Sequence, residues 1–446
     1  MRLLALNGLH FNYGSMEPWI FRDLNLCITP GSCHCITGPT GAGKSTLLRL
    51  LAGLHQRPFE GELVRGSGLN CGLVMQDPQP QLQRQTVGAE VALVLEHQGL
   101  SRDDMIDRVQ TALRRVGLFV ALDCPVSQLS LGQKYRLMMA AELAGNASIL
   151  LLDEPWAQLD DNGIADLQRV ISELCGDGLA VVIAEHHPQA FAKVASHFWQ
   201  LDDGRLLPGC YHGEAPVPPA DFLPESPLML SAAPFELRYP GKPVLLRCEQ
   251  PLTIGRRELI TLVGDNGTGK SSLLKAIAGL QSDVCPLPLK LFGQSPKPGA
   301  LGQQLGVLMQ RPRRQLFEAT VHNELNYSLQ RFGLPLGTAI HWLESLGLAT
   351  LAQQSPQLLS HGQQHLVALA SQACYRPSLL LLDEPLAGLD NARSNQLWQL
   401  VNQLRSKGCS VLVSSHRPLA VAATQTWQLA DGQLRVARPE AAQRVG

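Results

Sequence analysis

Hydrophobic residues occur along the chain in short runs that alternate with longer, helix-periodic stretches. The runs over residues 148–153 and 180–184 are almost entirely apolar, as is typical of strands buried on both faces of a sheet. The stretch from Gln98 to Ala144 has the spacing of helices with one apolar face. Alternation of such strands and helices predicts an α/β fold with a mostly parallel sheet.

The same glycine-rich segment occurs twice, each time after an apolar run and before a helix-periodic stretch. Both copies fit G-x-x-x-x-G-K-[ST]. The glycines let backbone N–H groups close around phosphates, the lysine reaches the outer phosphates, and the hydroxyl ligates Mg²⁺. The sequence therefore predicts two sites for ATP or GTP, lined by Gly38, Pro39, Thr40, Gly41, Ala42, Gly43, Lys44, Ser45 and Thr46 in one half and by Gly264, Asp265, Asn266, Gly267, Thr268, Gly269, Lys270, Ser271 and Ser272 in the other.

Other landmarks keep step between the two halves. Asp153 precedes His186 by 33 residues, and Asp383 precedes His416 by the same 33. The chain is therefore a tandem duplication. Because prolines are dense between the copies, we predict a domain over 1–208, an extended connector over 209–230 and a second domain over 231–446.

Composition narrows the class of protein. The 446 residues are enough for two domains, each with its own core, and 45% hydrophobic with 17% charged residues is typical of globular proteins. A formal net charge of −1 gives no basic footprint for nucleic acid. No apolar run reaches 18 residues and no secretory leader is evident, so we expect a cytoplasmic location without a membrane span.

Each half carries four further segments after its phosphate loop, in the same order: a glutamine, LS-x-GQ, LLLDEP and a histidine. The LS-x-GQ segments are residues 129–133 and 359–363. This arrangement, which covers nearly the whole chain, resembles that of ATP-binding cassette (ABC) ATPases. The resemblance implies two tandem ABC-type P-loop NTPase domains, each with a mostly parallel sheet core, a small antiparallel β subdomain and a helical subdomain.

An apolar strand that ends in Asp-Glu places two carboxylates at the sheet edge where ligands of α/β proteins bind. The resemblance assigns the roles. The catalytic bases are Glu154 and Glu384, and the γ-phosphate histidines are His186 and His416. The Mg²⁺ ligands are Ser45, Gln76, Asp153, Ser271, Gln310 and Asp383. The adenine-stacking aromatics are Tyr13 and Tyr239. Asp160 and Asp390 each match the loop by which one cassette crosses to the other in this family.

In ABC ATPases the LS-x-GQ signature of one cassette completes the ATP site of the other. The implied signature contacts are Ser130, Gly132, Gln133, Ser360, Gly362 and Gln363. Both composite sites retain a base and a histidine, so we predict that both hydrolyse ATP. Leu131 and His361 replace the first signature glycine of the family. Because a side chain at this position alters how closely the helix approaches the γ-phosphate, we expect a modest loss of activity or an asymmetry between the sites.

A finer pattern follows each Q-loop glutamine. Gln76 is followed by a proline and by Gln81, Gln310 by a proline and by Gln315, and each segment leads into Thr-Val-x-x-Glu. This resembles the ATPase pair of energy-coupling factor (ECF) importers, here fused into one chain. The resemblance implies a separate integral membrane T-component and a substrate-binding S-component, a peripheral position at the cytoplasmic face of the inner membrane, and a vitamin, vitamin precursor or Ni/Co ion as cargo.

Two other functions fit a duplicated cassette. A soluble tandem-cassette ATPase that acts on ribosomes would carry a long charged helical linker, whereas this connector is short and proline-rich. The nearly neutral net charge also argues against RNA. A scaffold without hydrolysis is disfavoured because Glu154 and Glu384 are both present. The sequence therefore favours a transport ATPase.

Overall fold

The computed structural model describes residues 2–14, 19–55, 57–76, 80–211, 225–281, 284 and 286–438. Contacts divide the chain into two compact units, Met1–Gly213 and Glu214–Gly446. The helices and strands of each unit follow from the alternation of apolar runs and amphipathic stretches.

The first unit contains a core sheet and a small antiparallel sheet. Its strands are β1 (Leu4–Phe11), β2 (Phe21–Ile28), β3 (Cys33–Thr37), β4 (Glu60–Arg65), β5 (Cys71–Val74), β6 (Ile149–Asp153), β7 (Ala180–Ala184), β8 (His197–Asp202) and β9 (Arg205–Pro208). Its helices are α1 (Lys44–Ala52), α2 (Val87–His97), α3 (Arg102–Arg115), α4 (Leu131–Ala144) and α5 (Asp161–Gly176). The core order is β5-β6-β7-β3-β8-β9, parallel except for β9, and the small sheet has the order β2-β1-β4.

The central strands are apolar because helices or the small sheet cover both faces of the core sheet. All five residues of β3, β6 and β7 are buried. One face packs with α2, α3 and α4 residues in one apolar cluster, and the other packs with α1 and the small sheet in a second cluster. The carboxyl ends of β3, β6 and β7 therefore lie together at one edge of the sheet.

The second unit repeats this plan. Its strands are β10 (Glu225–Ala232), β11 (Phe235–Arg238), β12 (Val244–Cys248), β13 (Leu252–Arg256), β14 (Leu259–Val263), β15 (Leu289–Leu291), β16 (Leu305–Leu308), β17 (Leu379–Asp383), β18 (Ser410–Ser415), β19 (Gln425–Ala430) and β20 (Gln433–Ala437). Its helices are α6 (Lys270–Ile277), α7 (Val321–Arg331), α8 (Thr338–Ser345), α9 (His361–Ala373) and α10 (Asn391–Ser406). The sheet orders are β11-β12-β20-β19-β14-β18-β17-β16 and β13-β10-β15.

The predicted connector overlaps a strand of the second unit. Residues 225–230 belong to β10, which pairs with β13 and β15, whereas residues 212–224 lie outside the described part of the chain. Leu230 is fully buried, and the apolar residues 228–230 explain why the strand forms despite the preceding Pro227. The density of prolines hid this apolar run in the sequence.

The α/β prediction is confirmed, with parallel core strands and a small antiparallel sheet in each unit. No helix in the described ranges has the length and apolar character needed to cross a bilayer.

Candidate nucleotide sites

Each glycine-rich segment joins a central strand to a helix, as the sequence predicts. β3 leads into α1 at Lys44, and β14 leads into α6 at Lys270. The residue before each helix is a glycine in the left-handed region, with φ of 100° at Gly43 and 104° at Gly269. A Cβ at Gly43 would lie 2.9 Å from Cγ2 of Ile20, so both the backbone angle and the space require glycine there.

The two lysines are buried within their own loops. Lys44 Nζ donates to the carbonyl oxygens of Gly38 at 3.0 Å and Pro39 at 3.2 Å. Lys270 Nζ donates to those of Gly264 at 2.7 Å and Asp265 at 2.9 Å. These bonds hold each ammonium group at the centre of a ring of backbone atoms, the position from which a lysine reaches phosphate oxygens.

The aspartates that end β6 and β17 lie beside the phosphate loops. Ser45 Oγ donates to Asp153 Oδ1 at 3.0 Å, and burial raises the pKa of Asp153 to about 6. Burial also raises the pKa of Asp383, which accepts hydrogen bonds from Ser271 and, at 2.7 Å, from Ser414. A buried carboxylate beside a hydroxyl is a pair of oxygen ligands that suits Mg²⁺.

The glutamates next in sequence adopt a strained backbone. Glu154 has φ of 46° and Glu384 has φ of 49°, values that are uncommon outside glycine and that recur at functional sites. Glu154 Oε1 lies 2.8 Å from His186 Nε2, and Glu154 Oε2 accepts a hydrogen bond from Gln76 Nε2 at 2.7 Å. The structure thus brings the predicted base, histidine and Q-loop glutamine of the first unit together.

The second unit holds its glutamate differently. Glu384 lies 3.2 Å from His416 Nδ1 and 3.4 Å from Lys270 Nζ. Burial opposes ionisation of Glu384, but the hydrogen bond from His416 and the charge of Lys270 outweigh it and lower the pKa of the carboxyl group. Gln310 is exposed and, among the described residues, makes no hydrogen bond to Glu384. The two candidate sites are therefore not equivalent.

The second glutamine of each Q-loop braces the loop. Gln81 accepts a hydrogen bond from Met75 N at 2.8 Å and donates one to Leu73 O at 2.8 Å. Gln315 makes the same two bonds, with Met309 N at 2.8 Å and Val307 O at 2.9 Å. The amide thus ties the chain that follows β5 or β16 back to the strand itself.

The glutamate of each Thr-Val-x-x-Glu segment fixes the far end of that loop. Glu90 accepts hydrogen bonds from Gln83 N at 2.9 Å and Arg84 N at 2.6 Å. Glu324 accepts them from Phe317 N at 3.0 Å and Glu318 N at 2.9 Å. Sequence reasoning used these residues only as a family pattern, and the structure shows what they hold.

The predicted adenine-stacking tyrosines lie next to their phosphate loops. Tyr13 Oη is 2.7 Å from Thr46 Oγ1, and Tyr239 Oη is 3.1 Å from Ser272 Oγ. Each ring is therefore anchored at the first turn of the helix that follows the loop. Stacking on adenine stays a prediction.

Signature residues cap helices in both units. Ser130 and Ser360 are the N-caps of α4 and α9, and each forms a capping box with the glutamine three residues later, Gln133 or Gln363. Leu131 and His361 are the first helical residues. Asp160 and Asp390 likewise cap α5 and α10, accepting backbone N–H bonds at 2.8 Å. The caps of α4 and α9 are neutral hydroxyl groups, so the N-termini of these two helices still favour an anion.

Residues next to the two histidines were missed by sequence reasoning. Glu185 is 1% exposed and accepts backbone hydrogen bonds from Trp156 at 3.1 Å, His186 at 2.7 Å and His187 at 3.3 Å. Burial is the main reason that its pKa is raised to about 7. In the sequence, the only sign of a role for Glu185 is that it directly precedes the predicted catalytic histidine.

The second unit has a hydroxyl and a cation instead. Ser415 stands at the position equivalent to Glu185, and its Oγ accepts a hydrogen bond from Arg417 N at 3.1 Å. Arg417 Nη1 donates to His416 Nε2 at 2.7 Å. The two histidines are therefore oriented by different neighbours.

Comparisons with known proteins agree with this geometry. The family model described as ABC transporter matches residues 21–157 and 250–387. A Bifidobacterium longum protein named as an ABC transporter ATP-binding protein is 29% identical, over 92% of this chain but 63% of its own length. A Bacillus subtilis protein named as an HMP/thiamine import ATP-binding protein is 27% identical, over 93% of this chain and 87% of its own.

A solved structure described as a model of ribosome-bound archaeal Pelota and ABCE1 superposes with a TM-score of 0.71 at 20% identity, over 96% of this chain and 78% of that one. This similarity shows the fold alone. The two family matches together cover more than half of the chain, one in each unit. The chain therefore belongs to the ABC transporter family, and its two ATP-binding cassettes imply ATPase activity.

Proposed function

We propose that this chain is the ATP-hydrolysing, energy-coupling subunit of an ECF-type importer. The similarity to a relative named for HMP/thiamine import carries the proposal, because it extends over 93% of this chain. The cargo class is a vitamin, a vitamin precursor or a Ni/Co ion. Transport proceeds through a separate T-component and S-component, to which the cassettes bind peripherally at the cytoplasmic face of the membrane.

The braced Q-loops support this assignment. Gln81 and Gln315 hold the start of each Q-loop, and Glu90 and Glu324 hold its end. A segment fixed at both ends transmits a displacement between a partner and the nucleotide site more faithfully than a loose loop does. In the first cassette the link continues through the bond from Gln76 to Glu154.

Hydrolysis in each cassette rests on a carboxylate and a histidine. Glu154 and Glu384 orient and polarise the attacking water, and His186 and His416 contact the γ-phosphate. The bond between Glu154 and His186 holds both groups ready before ATP arrives. In ABC ATPases the signature of one cassette completes the phosphate loop of the other, so we expect Lys44 to work with Ser360 and Lys270 with Ser130.

The oxygen donors beside each phosphate loop fit Mg²⁺. Mg²⁺ prefers one or two protein oxygens together with substrate phosphates, and Ser45 already lies 3.0 Å from Asp153. The residues that would hold it are Ser45, Gln76, Asp153, Ser271, Gln310 and Asp383. When bound, the ion neutralises charge on the phosphate oxygens.

A pull-down of the tagged chain from detergent-solubilised native membranes, followed by mass spectrometry, tests the proposal. We expect a small polytopic membrane protein and a second membrane protein that identifies the cargo. A double Gln81→Ala and Gln315→Ala variant should recover less of both partners while retaining ATP binding. Recovery of ribosomal proteins, or of no membrane protein, would overturn the importer assignment and leave the two ATPase cassettes standing.

A further inference from the structure

A cationic cleft opens in the second cassette, away from its nucleotide site. It has a volume of about 520 Å³, and its lining includes Arg256, Arg376 and Lys407. Arg376 and Lys407 precede β17 and β18, whereas the phosphate loop follows the carboxyl end of β14, which runs parallel to β18. The cleft is therefore at the opposite edge of the sheet from the ATP site.

The structure shows no ion pair for the three cations among the side chains it describes. Within that set, no carboxylate lies within ion-pair distance of Arg256, Arg376 or Lys407. Arg376 and Lys407 are exposed, and Arg256 is half-buried. Three unpaired positive charges around one concavity raise its potential and attract anions.

The first cassette serves as an internal comparison because it has the same backbone without the charges. Asn146 occupies the position of Arg376, with φ of 60° against 54°, and both precede an equivalent strand. Asp177 occupies the position of Lys407 at the C-cap of the equivalent helix, and it pairs with Arg115 at 3.2 Å. The fold thus does not require cations at these positions.

A glycine provides room for the third cation. Gly408 has φ of 100°, and a Cβ there would overlap the guanidinium group of Arg256. The equivalent Gly178 has nothing within 4 Å of its Cβ position, because Pro30 replaces Arg256 in the first cassette. In the second cassette the guanidinium group fills this space at the wall of the cleft.

The remaining lining indicates the kind of anion. Ser378 contributes a hydroxyl group, and Phe292 and Met229 contribute apolar surface. Arginine, lysine and hydroxyl groups together are typical phosphate ligands, and the volume lies within the range of small-molecule sites, about 300–1,000 Å³. We propose that this cleft binds a phosphate ester with an apolar body, either a soluble organic phosphate or the headgroup of an anionic phospholipid.

Transplanting the residues of the first cassette tests the site. The double variant Arg376→Asn and Lys407→Asp should fold, because Asn146 and Asp177 already occupy the same backbone positions. Lys290→Asn with Lys297→Asp makes the same change in charge at exposed positions that do not line the cleft. Both variants leave the phosphate loops intact and should retain wild-type ATPase rates.

Binding is measured by calorimetric titration of the full chain with inorganic pyrophosphate and by cosedimentation with phosphatidylglycerol or phosphatidylcholine vesicles. We expect one class of pyrophosphate sites to weaken by about tenfold or more in the transplant and to be unchanged in the control. Loss of binding to phosphatidylglycerol vesicles alone in the same variant identifies a headgroup, whereas loss of pyrophosphate binding alone identifies a soluble phosphate. Equal binding by wild type and transplant in both measurements would overturn the proposal.

Discussion

The carboxylate of Glu185 accepts a hydrogen bond from the backbone N–H of Trp156 at 3.1 Å, across 29 residues of sequence. The same carboxylate accepts the N–H of His186 at 2.7 Å. One buried side chain thus joins the segment after Glu154 to the segment that carries the histidine. Because Ser415 occupies the equivalent position, this link belongs to the first cassette.

Replacing this carboxylate should slow the first cassette selectively. In Glu185→Gln one oxygen becomes an amide nitrogen that faces N–H donors, and losing a hydrogen bond to a buried charged group costs about 1.5–3 kcal/mol. In a Glu384→Gln background, we expect kcat to fall about tenfold with little change in KM. Ser415→Ala is the matched control and should have a much smaller effect. A fall of equal size in a Glu154→Gln background would show that Glu185 acts on folding rather than on the first site.

The two glutamates after β6 and β17 should be required for turnover but not for ATP binding. Removing a general base typically costs about 10²–10⁴-fold in rate. We expect Glu154→Gln together with Glu384→Gln to bind ATP normally and to lose at least about a hundredfold in steady-state hydrolysis. Each single variant separates the two sites. Hydrolysis that persists in the double variant would remove the base assignment.

Much of the architecture could be predicted because it depends on residues that are close together in the sequence. The strand–loop–helix order around Lys44 and Lys270 follows from apolar runs and glycines that are adjacent in sequence. Because each motif recurs at the same spacing in the second half, its functional assignment is stronger than that of a single copy. By contrast, the strand that includes residues 225–230 was not predicted, because proline density outweighed a three-residue apolar run in the sequence.

Side-chain contacts that depend on the fold could not be predicted in the same way. Glu185 reaches Trp156, and Arg417 reaches the ring of His416, only through side-chain directions that the fold sets. The sequence position of Gln81 does not show that its side-chain amide forms hydrogen bonds with Leu73 in β5 and with Met75, the residue after that strand. The unequal contacts of Glu154 and Glu384 therefore became visible only in the structure.

A half-buried carboxylate on α4, that of Glu142, should make stability depend on pH. Burial raises the pKa of Glu142 to about 7, above its ordinary value near 4.5, and the equivalent residue in the second cassette is Gln372. A raised folded pKa favours protonation in the folded state, so the wild type loses stability as pH rises from about 4.5 through 7. Glu142→Gln removes that loss, which amounts to about 3 kcal/mol at pH 8 and about 1 kcal/mol at pH 5.

Thermal unfolding of the full chain at the two pH values measures this effect. A gain of about 3 kcal/mol corresponds to an increase in Tm of about 6–12 °C for a unit of this size. Gln372→Glu is the reverse substitution and should lower the Tm at pH 8. A gain for Glu142→Gln that is the same at pH 5 and pH 8 would exclude titration of Glu142 as its cause.

The residues after the signature serines should limit how closely the helix N-termini approach phosphate. Leu131 and His361 are the first helical residues. They take no part in the capping boxes, which pair Ser130 with Gln133 and Ser360 with Gln363. Glycine at either position therefore keeps the cap while removing the side chain. Because donors aimed at the transferring phosphoryl group dominate catalysis, we expect Leu131→Gly and His361→Gly each to raise ATP turnover about two- to fivefold.

Ser130→Ala and Ser360→Ala at the neighbouring positions are the controls, since they remove the cap and should lower turnover. The ring of His361 also packs against that of His365, with ring centroids 4.5 Å apart and the planes tilted by 42°. Its removal therefore changes a packed contact, whereas Leu131→Gly reports on the approach of the helix alone. If steady-state hydrolysis is the same in Leu131→Gly and in the wild type, the side chain at this position does not restrict the site, and the inequality of the two cassettes lies instead with Glu185 and Arg417.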